Sequence, residues 1–171
     1  SSNPTVSGMA PLVVHVDALN SILNSGEQTT ALYTWDFGDN NSAYNIINGW
    51  NAAHIYDIPG TYNLKLNVTD ENFDTSSIAI TVNVSSNTRT PIYLSSSTGN
   101  DNNNGGSPST AIQTPARANQ LLSNNSMLLI KRGDTVYTET GQFILDSLYN
   151  VVVKPYGSGN MPLLWGDDTL Y

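Results

Sequence analysis

Trp35-Asp36-Phe37-Gly38-Asp39 and, further on, His54-Ile55-Tyr56-Asp57-Ile58-Pro59-Gly60-Thr61-Tyr62 set the architecture expected of this chain. Trp35 and Phe37 flank Asp36, so an extended backbone puts both aromatics on one face. Gly38 permits a positive φ in the turn after them, and Pro59-Gly60 suits a type II turn. His54 shares a face with Tyr56 and is expected to be a hydrogen-bonded structural histidine. Working outward, Leu12, Val14 and Val16 alternate with Val13, His15 and Asp17. Tyr62, Leu64, Leu66 and Val68 alternate with Asn63, Lys65 and Asn67, and Ile78, Ile80, Val82 and Val84 close the series. No stretch here has a helical period with caps. Short strands separated by turn clusters predict a β-sandwich.

Composition agrees and removes several functions. The chain has 171 residues, a net charge of −8 and no cysteine. Six basic residues against fourteen acids speak against nucleic acid as a partner, because phosphate neutralisation needs a clustered basic surface. No apolar run approaches the ~20 residues of a membrane-spanning helix. Disulfides, cysteine-zinc sites and thiol catalysis are excluded. Asn, Ser and Thr number 22, 19 and 17, a third of the chain, while charged residues are only 12%. Three Trp and nine Tyr indicate packed structure rather than disorder. This turn-rich, neutral-polar mixture suggests an all-β protein located outside the cell or on its surface. Up to Asn87 eight acids face Lys65 alone, net −7; from Thr88 six acids face five bases, net −1. The change falls in the linker-like run Ser85-Ser86-Asn87-Thr88-Arg89-Thr90-Pro91, so two domains are expected, 1–87 and 88–171.

The two central motifs, with Leu66-Asn67-Val68-Thr69-Asp70 after them and Ala10-Pro11-Leu12-Val13-Val14 before, resemble the PKD domain over roughly residues 4–85. The resemblance implies an immunoglobulin-like sandwich of the kind found in extracellular polysaccharidases, proteases and surface-layer proteins. Asn40–Ala53, between the motifs, is long for that family and contains Trp50. Some members bind calcium, which would draw on Asp36, Asp39 and Asp70 if their loops converge. No cofactor is otherwise expected.

In the second half, Ile92–Ser95 reads as a strand, and Pro115–Leu122 as a short helix with proline at its front. Met127–Ile130, Thr135–Tyr137, Phe143–Leu145 and Val151–Val153 read as further strands. With Gly133-Asp134-Thr135-Val136-Tyr137 and Val153-Lys154-Pro155-Tyr156-Gly157, this order resembles the N-terminal cap and first coils of a right-handed parallel β-helix like that of polysaccharide lyases. The resemblance covers about residues 91–166. Asn100-x-Asn102-x-Asn104-Gly105 has the spacing of a calcium loop but lacks its carboxylates, with Ala111 where the bidentate glutamate would stand, so a metal-free turn is expected.

No nucleophile elbow, His-Glu-x-x-His or phosphate-cradling loop is present. About 80 residues after the linker, at ~20–25 per coil, allow a cap and two or three coils, too few for a long catalytic groove. The expectation is therefore a non-catalytic binding or spacer module, the front piece of a secreted polysaccharide-degrading protein. The alternative is a structural or adhesive cell-surface protein, a filament or surface-layer subunit. Carbohydrate contact is assigned to Trp50, Tyr44, Asn48 and Asn51, since an aromatic face stacks on a pyranose and amides bond its hydroxyls. The acidic first domain favours a neutral polysaccharide. The competing expectation is that Trp50 packs onto the sandwich or against the second domain, as large aromatics usually do. Asn40, Asn67, Asn83 and Asn124 each begin an Asn-x-Ser/Thr sequon. Asp134-Thr135-Val136, Asp146-Ser147-Leu148 and Asp168-Thr169-Leu170 resemble a bacterial O-glycosylation motif.

Overall fold

The computed structural model describes residues 4–23, 26–137 and 142–166. The chain divides into two compact units, Ser1–Asn87 and Thr88–Tyr171.

The first unit contains β1 (Thr5–Met9), β2 (Leu12–Asp17), β3 (Leu32–Asp36), β4 (Ile46–Asn48), β5 (Asn51–Tyr56), β6 (Gly60–Thr69) and β7 (Thr75–Ser85). A five-stranded sheet has the order β1-β7-β6-β3-β4, and β2 pairs with β5 in a second sheet. Pairing is antiparallel except between β1 and β7. One core holds Trp35, Leu64 and Val82 of the large sheet together with Val14 and Tyr56 of the small one. This is an immunoglobulin-like sandwich. The alternation expected for Tyr62–Val68 is present, with Leu64 and Leu66 buried and Asn63 and Lys65 exposed. Ile78 departs from it and is 53% exposed. β7 has eleven residues against six in each strand of the small sheet, so its first inward position outruns its cover. An open cavity of about 200 Å³ lies there, lined by Leu66, Val68, Ile78 and Ser21–Leu23.

The expected type II turn at Pro59-Gly60 does not form. Gly60 is the first residue of β6, paired with Val84, and its φ is not left-handed. Ladder hydrogen bonding holds it extended. Gly38 does adopt a φ of 68°, and its amide donates to Asp36 Oδ1 at 2.9 Å.

The second unit contains β8 (Thr90–Leu94), a 3₁₀ turn (Pro108–Thr110), α1 (Pro115–Leu121), β9 (Ser126–Lys131), β10 (Thr135–Tyr137), β11 (Val152–Tyr156) and β12 (Leu163–Trp165). Thr114 caps α1, accepting from the Arg117 amide at 3.2 Å, and Pro115 opens it where no N–H is needed. β8, β9 and β11 stack in parallel, and β10 stacks in parallel on β12. Register aligns Ile92 with Leu128 and Leu94 with Ile130, and all four are buried with Ala118 of the helix. The strand expected at Phe143–Leu145 is absent. Asn119 of α1 takes the backbone there, donating to Gln142 O and accepting from the Ile144 amide at 2.9 Å. Those groups are thereby withheld from a ladder.

Candidate functional site

The sequence candidates lie around the passage from β4 to β5, where the chain leaves one sheet for the other. The Gly49 amide donates to Tyr33 O at 3.0 Å, the Trp35 indole Nε1 to Gly49 O at 2.9 Å, and the Ala18 amide to Trp50 O at 2.7 Å. Both sheets therefore hold this corner. Gly49 has a φ of 139°, which L side chains rarely adopt. With its backbone tied on both sides, Trp50 keeps its side chain outside and is 58% exposed, so it is not a core residue. Tyr44, on the other side of β4, is 74% exposed. Asn48 and Asn51 are exposed as well. Asn48 Oδ1 accepts from Thr34 Oγ1 at 3.0 Å, which leaves its amide nitrogen available to a ligand oxygen. Across the sheet the register continues the uncharged row through Thr34, Asn67 and Ser77.

Beneath this corner lies a buried polar group that serves packing. His54 Nε2 sits 3.1 Å from Asp39 Oδ2, the ring stacks on Phe37 at 4.6 Å, and its edge meets Tyr56. Tyr56 donates its hydroxyl to Phe37 O at 2.8 Å, and burial with the nearby Asp39 carboxylate pushes that hydroxyl's pKa well up. The Asp39 amide donates to Asn45 Oδ1, which closes the long loop from inside. His54 is thus a structural histidine.

Of the aspartates considered for calcium, Asp36 and Asp39 serve the loop after β3 and Asp70 the turn after β6. Asp36 accepts from the Gly38 amide and Asn45, Asp39 faces His54, and Asp70 Oδ1 accepts from the amides of Asn72 and Asp74. Among the described residues no group of three His, Cys, Asp or Glu side chains is placed to hold a metal ion. In the asparagine loop, Asn100 and Asn104 accept from the amides of Asn102 and Gly106, and Asn103 donates to Ala111 O. Asn40, Asn83 and Asn124 are exposed, whereas Asn67 is half-buried in mid-strand. Asp134 of the first O-glycosylation match is buried, while Asp146 and Ser147 of the second are exposed. Asp168-Thr169-Leu170 lies outside the described residues.

Two carboxylates to which the sequence assigned no structural role organise the second unit. Asp134 accepts from Ser95 Oγ at 2.8 Å, Ser97 Oγ at 2.6 Å and the Ser97 amide, and Lys131 Nζ donates to Ser97 and Thr98. Asp101 accepts from the amides of Gln113 and Thr114 and from the Thr114 hydroxyl. Burial alone would raise both carboxyls, but these hydrogen bonds, with Lys131 and Arg117 nearby, hold each below its ordinary value. The only available signal was an Asp beside Ser/Thr-rich loops, which is too common to mark a clamp.

A carboxyl lowered in the folded state contributes stability that is complete above its unfolded pKa and is lost as pH falls through the folded value. Acidification from pH 7 to pH 3 is therefore expected to weaken the second unit. Asp134→Asn should cost about 1–3 kcal/mol at neutral pH, because charge-assisted bonds are replaced by weaker ones. It should also reduce the loss on acidification. Urea unfolding at pH 7, 5 and 3, followed by the amide signals of Ile92 and Leu128, measures both effects.

Residues 6–84 match the family model of the PKD domain. No curated protein matches the chain. The PKD domain is an immunoglobulin-like, non-catalytic module, often found in extracellular polysaccharide-degrading proteins. The match spans β1 through most of β7, so the aromatic corner at Trp50 belongs to the PKD unit. No described helix is long and apolar enough to cross a membrane.

Proposed function

We propose that the PKD unit is the binding and spacing module of a secreted or surface-attached polysaccharide-degrading protein, and that residues 88–171 form the cap and first coils of a parallel β-helix joined to it. One observation carries the glycan reading: Tyr44 and Trp50 are exposed on either side of β4, with Asn48 and Asn51 exposed among them. Exposed aromatics of this size cost solvation unless a ligand covers them, and pyranose C–H faces are suitable cover. The −7 charge of this half would repel an anionic chain at low salt, so the ligand is a neutral polysaccharide. The parallel in-register stack under a helix supports the β-helix reading.

Trp50→Ala is expected to weaken binding to a neutral glycan about fivefold to tenfold, the loss of roughly 1 kcal/mol of stacking. Stability should move by less than about 0.5 kcal/mol, as for other surface changes. Affinity electrophoresis against neutral and acidic polysaccharides, with calorimetry on those that retard the protein, reads this. Equal retardation of wild type and variant on every glycan would remove the site.

A further inference from the structure

Four residues stand in register across the outer face of the large sheet: Ser77 on β7, Asn67 on β6, Thr34 on β3 and Asn48 on β4. Thr34 lies between the buried Tyr33 and Trp35, and Asn67 between the buried Leu66 and Val68, so both face away from the core. Hydroxyl and amide alternate along the row, and no member is charged. The eight acids of this unit lie elsewhere: only Asp36 belongs to a strand of this sheet, and it stands opposite Lys65. Thr34 Oγ1 donates to Asn48 Oδ1 at 3.0 Å, which fixes one end of the row. Asn67, half-buried at its centre, makes no side-chain hydrogen bond to any described residue. A partly desolvated amide in that position keeps both its donor and its acceptor for the outside. A ligand hydroxyl exchanges for solvent there with little enthalpic loss.

We propose that this row is the track of the glycan site: a single soluble chain of a neutral polysaccharide crosses the strands from Ser77 to Asn48 and ends at the Trp50 corner. The inference rests on the glycan reading of Trp50, and adds to it the direction of the chain, its minimum length and its physical form. Neighbouring strands lie about 4.8 Å apart, so four strands set the ends of the row roughly 14 Å apart. A pyranose in an extended chain advances by a similar step, about 5 Å, so successive rings meet successive strands. Hydroxyl and amide side chains both donate and accept, as sugar hydroxyls do, so the match repeats ring by ring. Adjacent strands rotate by roughly 20–25°. The row therefore winds, which suits a soluble chain free to twist and not the flat face of a crystalline polymer. Gly49 and Trp50 follow Asn48 directly, so the track runs out at the aromatic corner.

Calorimetry of the 171-residue chain with manno-, cello- and laminari-oligosaccharides, from disaccharide to hexasaccharide, tests the track. In the series that binds, affinity is expected to rise at least about tenfold from disaccharide to tetrasaccharide and then to level off. Asn67→Ala should weaken tetrasaccharide binding about threefold to tenfold, the loss of one hydrogen-bonding group, and leave the disaccharide unchanged. Should that variant fold poorly, Ser77→Ala, at an exposed position, reads the same row. Asn83→Ala is the control. Asn83 is exposed on the same face and bonded to Thr61 as Asn48 is to Thr34, but it lies outside the row, so the variant should bind as wild type does. Equal affinity for disaccharide and tetrasaccharide overturns the track, as does a loss through Asn83→Ala as large as that through Asn67→Ala. Tighter retention on crystalline cellulose than on any soluble chain also overturns it. A wild type that binds no member of any series ends the glycan reading as well. Binding that Trp50→Ala weakens and the row variants leave untouched ends the track alone.

Discussion

Trp35→Ala is expected to cost the PKD unit about 3–5 kcal/mol, the range for deleting a buried aromatic. Trp35 is only 2% exposed and lies in the single core shared by both sheets. Its loss leaves a cavity that β3, held by β4 on one side and β6 on the other, cannot collapse to fill. The indole also donates to Gly49 O, so the variant frees a carbonyl at the corner that presents Trp50. Against a total stability of about 5–15 kcal/mol for a whole domain, such a loss leaves the unit marginal. Trp35→Phe should cost less, keeping much of the volume and losing the hydrogen bond. Urea unfolding monitored by circular dichroism compares the two. A change below about 1 kcal/mol for the alanine variant would contradict the core assignment.

Gly99→Ala should be the most damaging single methyl in the second unit. A Cβ at Gly99 would land on the carbonyl oxygens of Ile112 and Ser95. These are backbone atoms engaged in the turn: Gly99 donates to Ser95 O, and Ser95 donates to Ile112 O. No side chain can swing aside to make room, so the turn must open or the ladder must shift. Overpacking costs about 1–3 kcal/mol where side chains can adjust, and here the upper end or more is expected. Gly106→Ala is the control. Its Cβ would meet only the Asn104 side chain, at 3.3 Å, and should leave stability nearly unchanged. Thermal unfolding of both variants beside wild type checks the pair. Equal midpoints for all three would show that the turn yields freely.

Where the hydrophobic pattern is strong, these effects could be anticipated from sequence. Alternation of large residues marked β2, β3, β6 and β7, and Pro115 marked the start of α1. Local signals of this kind reside in side-chain period and in backbone preference, which neighbouring residues carry with them. β5 was legible only at its end, where His54 and Tyr56 share a face, because Ala52 is too small to extend the period. β4 and β12 escaped because three residues are too few. Phe143–Leu145 misled because an apolar run looks the same whether its backbone joins a ladder or is claimed by Asn119. Tyr44, Trp50, Asn48 and Asn51 could be nominated from residue type alone. Whether they face solvent depended on the sheet-to-sheet crossing at Gly49.

The chain's own order of residues established that it is all-β, where its composition changes, and that its first half has the motifs of the PKD domain, because each rests on contacts a few residues apart. Tertiary structure alone decided that Asp134 reaches back to Ser95 and Ser97, and that Asp101 clamps the start of α1. It alone revealed that Val153 and Leu164, in register with the buried Leu128 and Val136, are half exposed. Those partners lie many residues apart, and burial depends on what the rest of the fold places nearby. A carboxylate in a Ser/Thr-rich chain has many possible partners, and only the folded backbone selects among them.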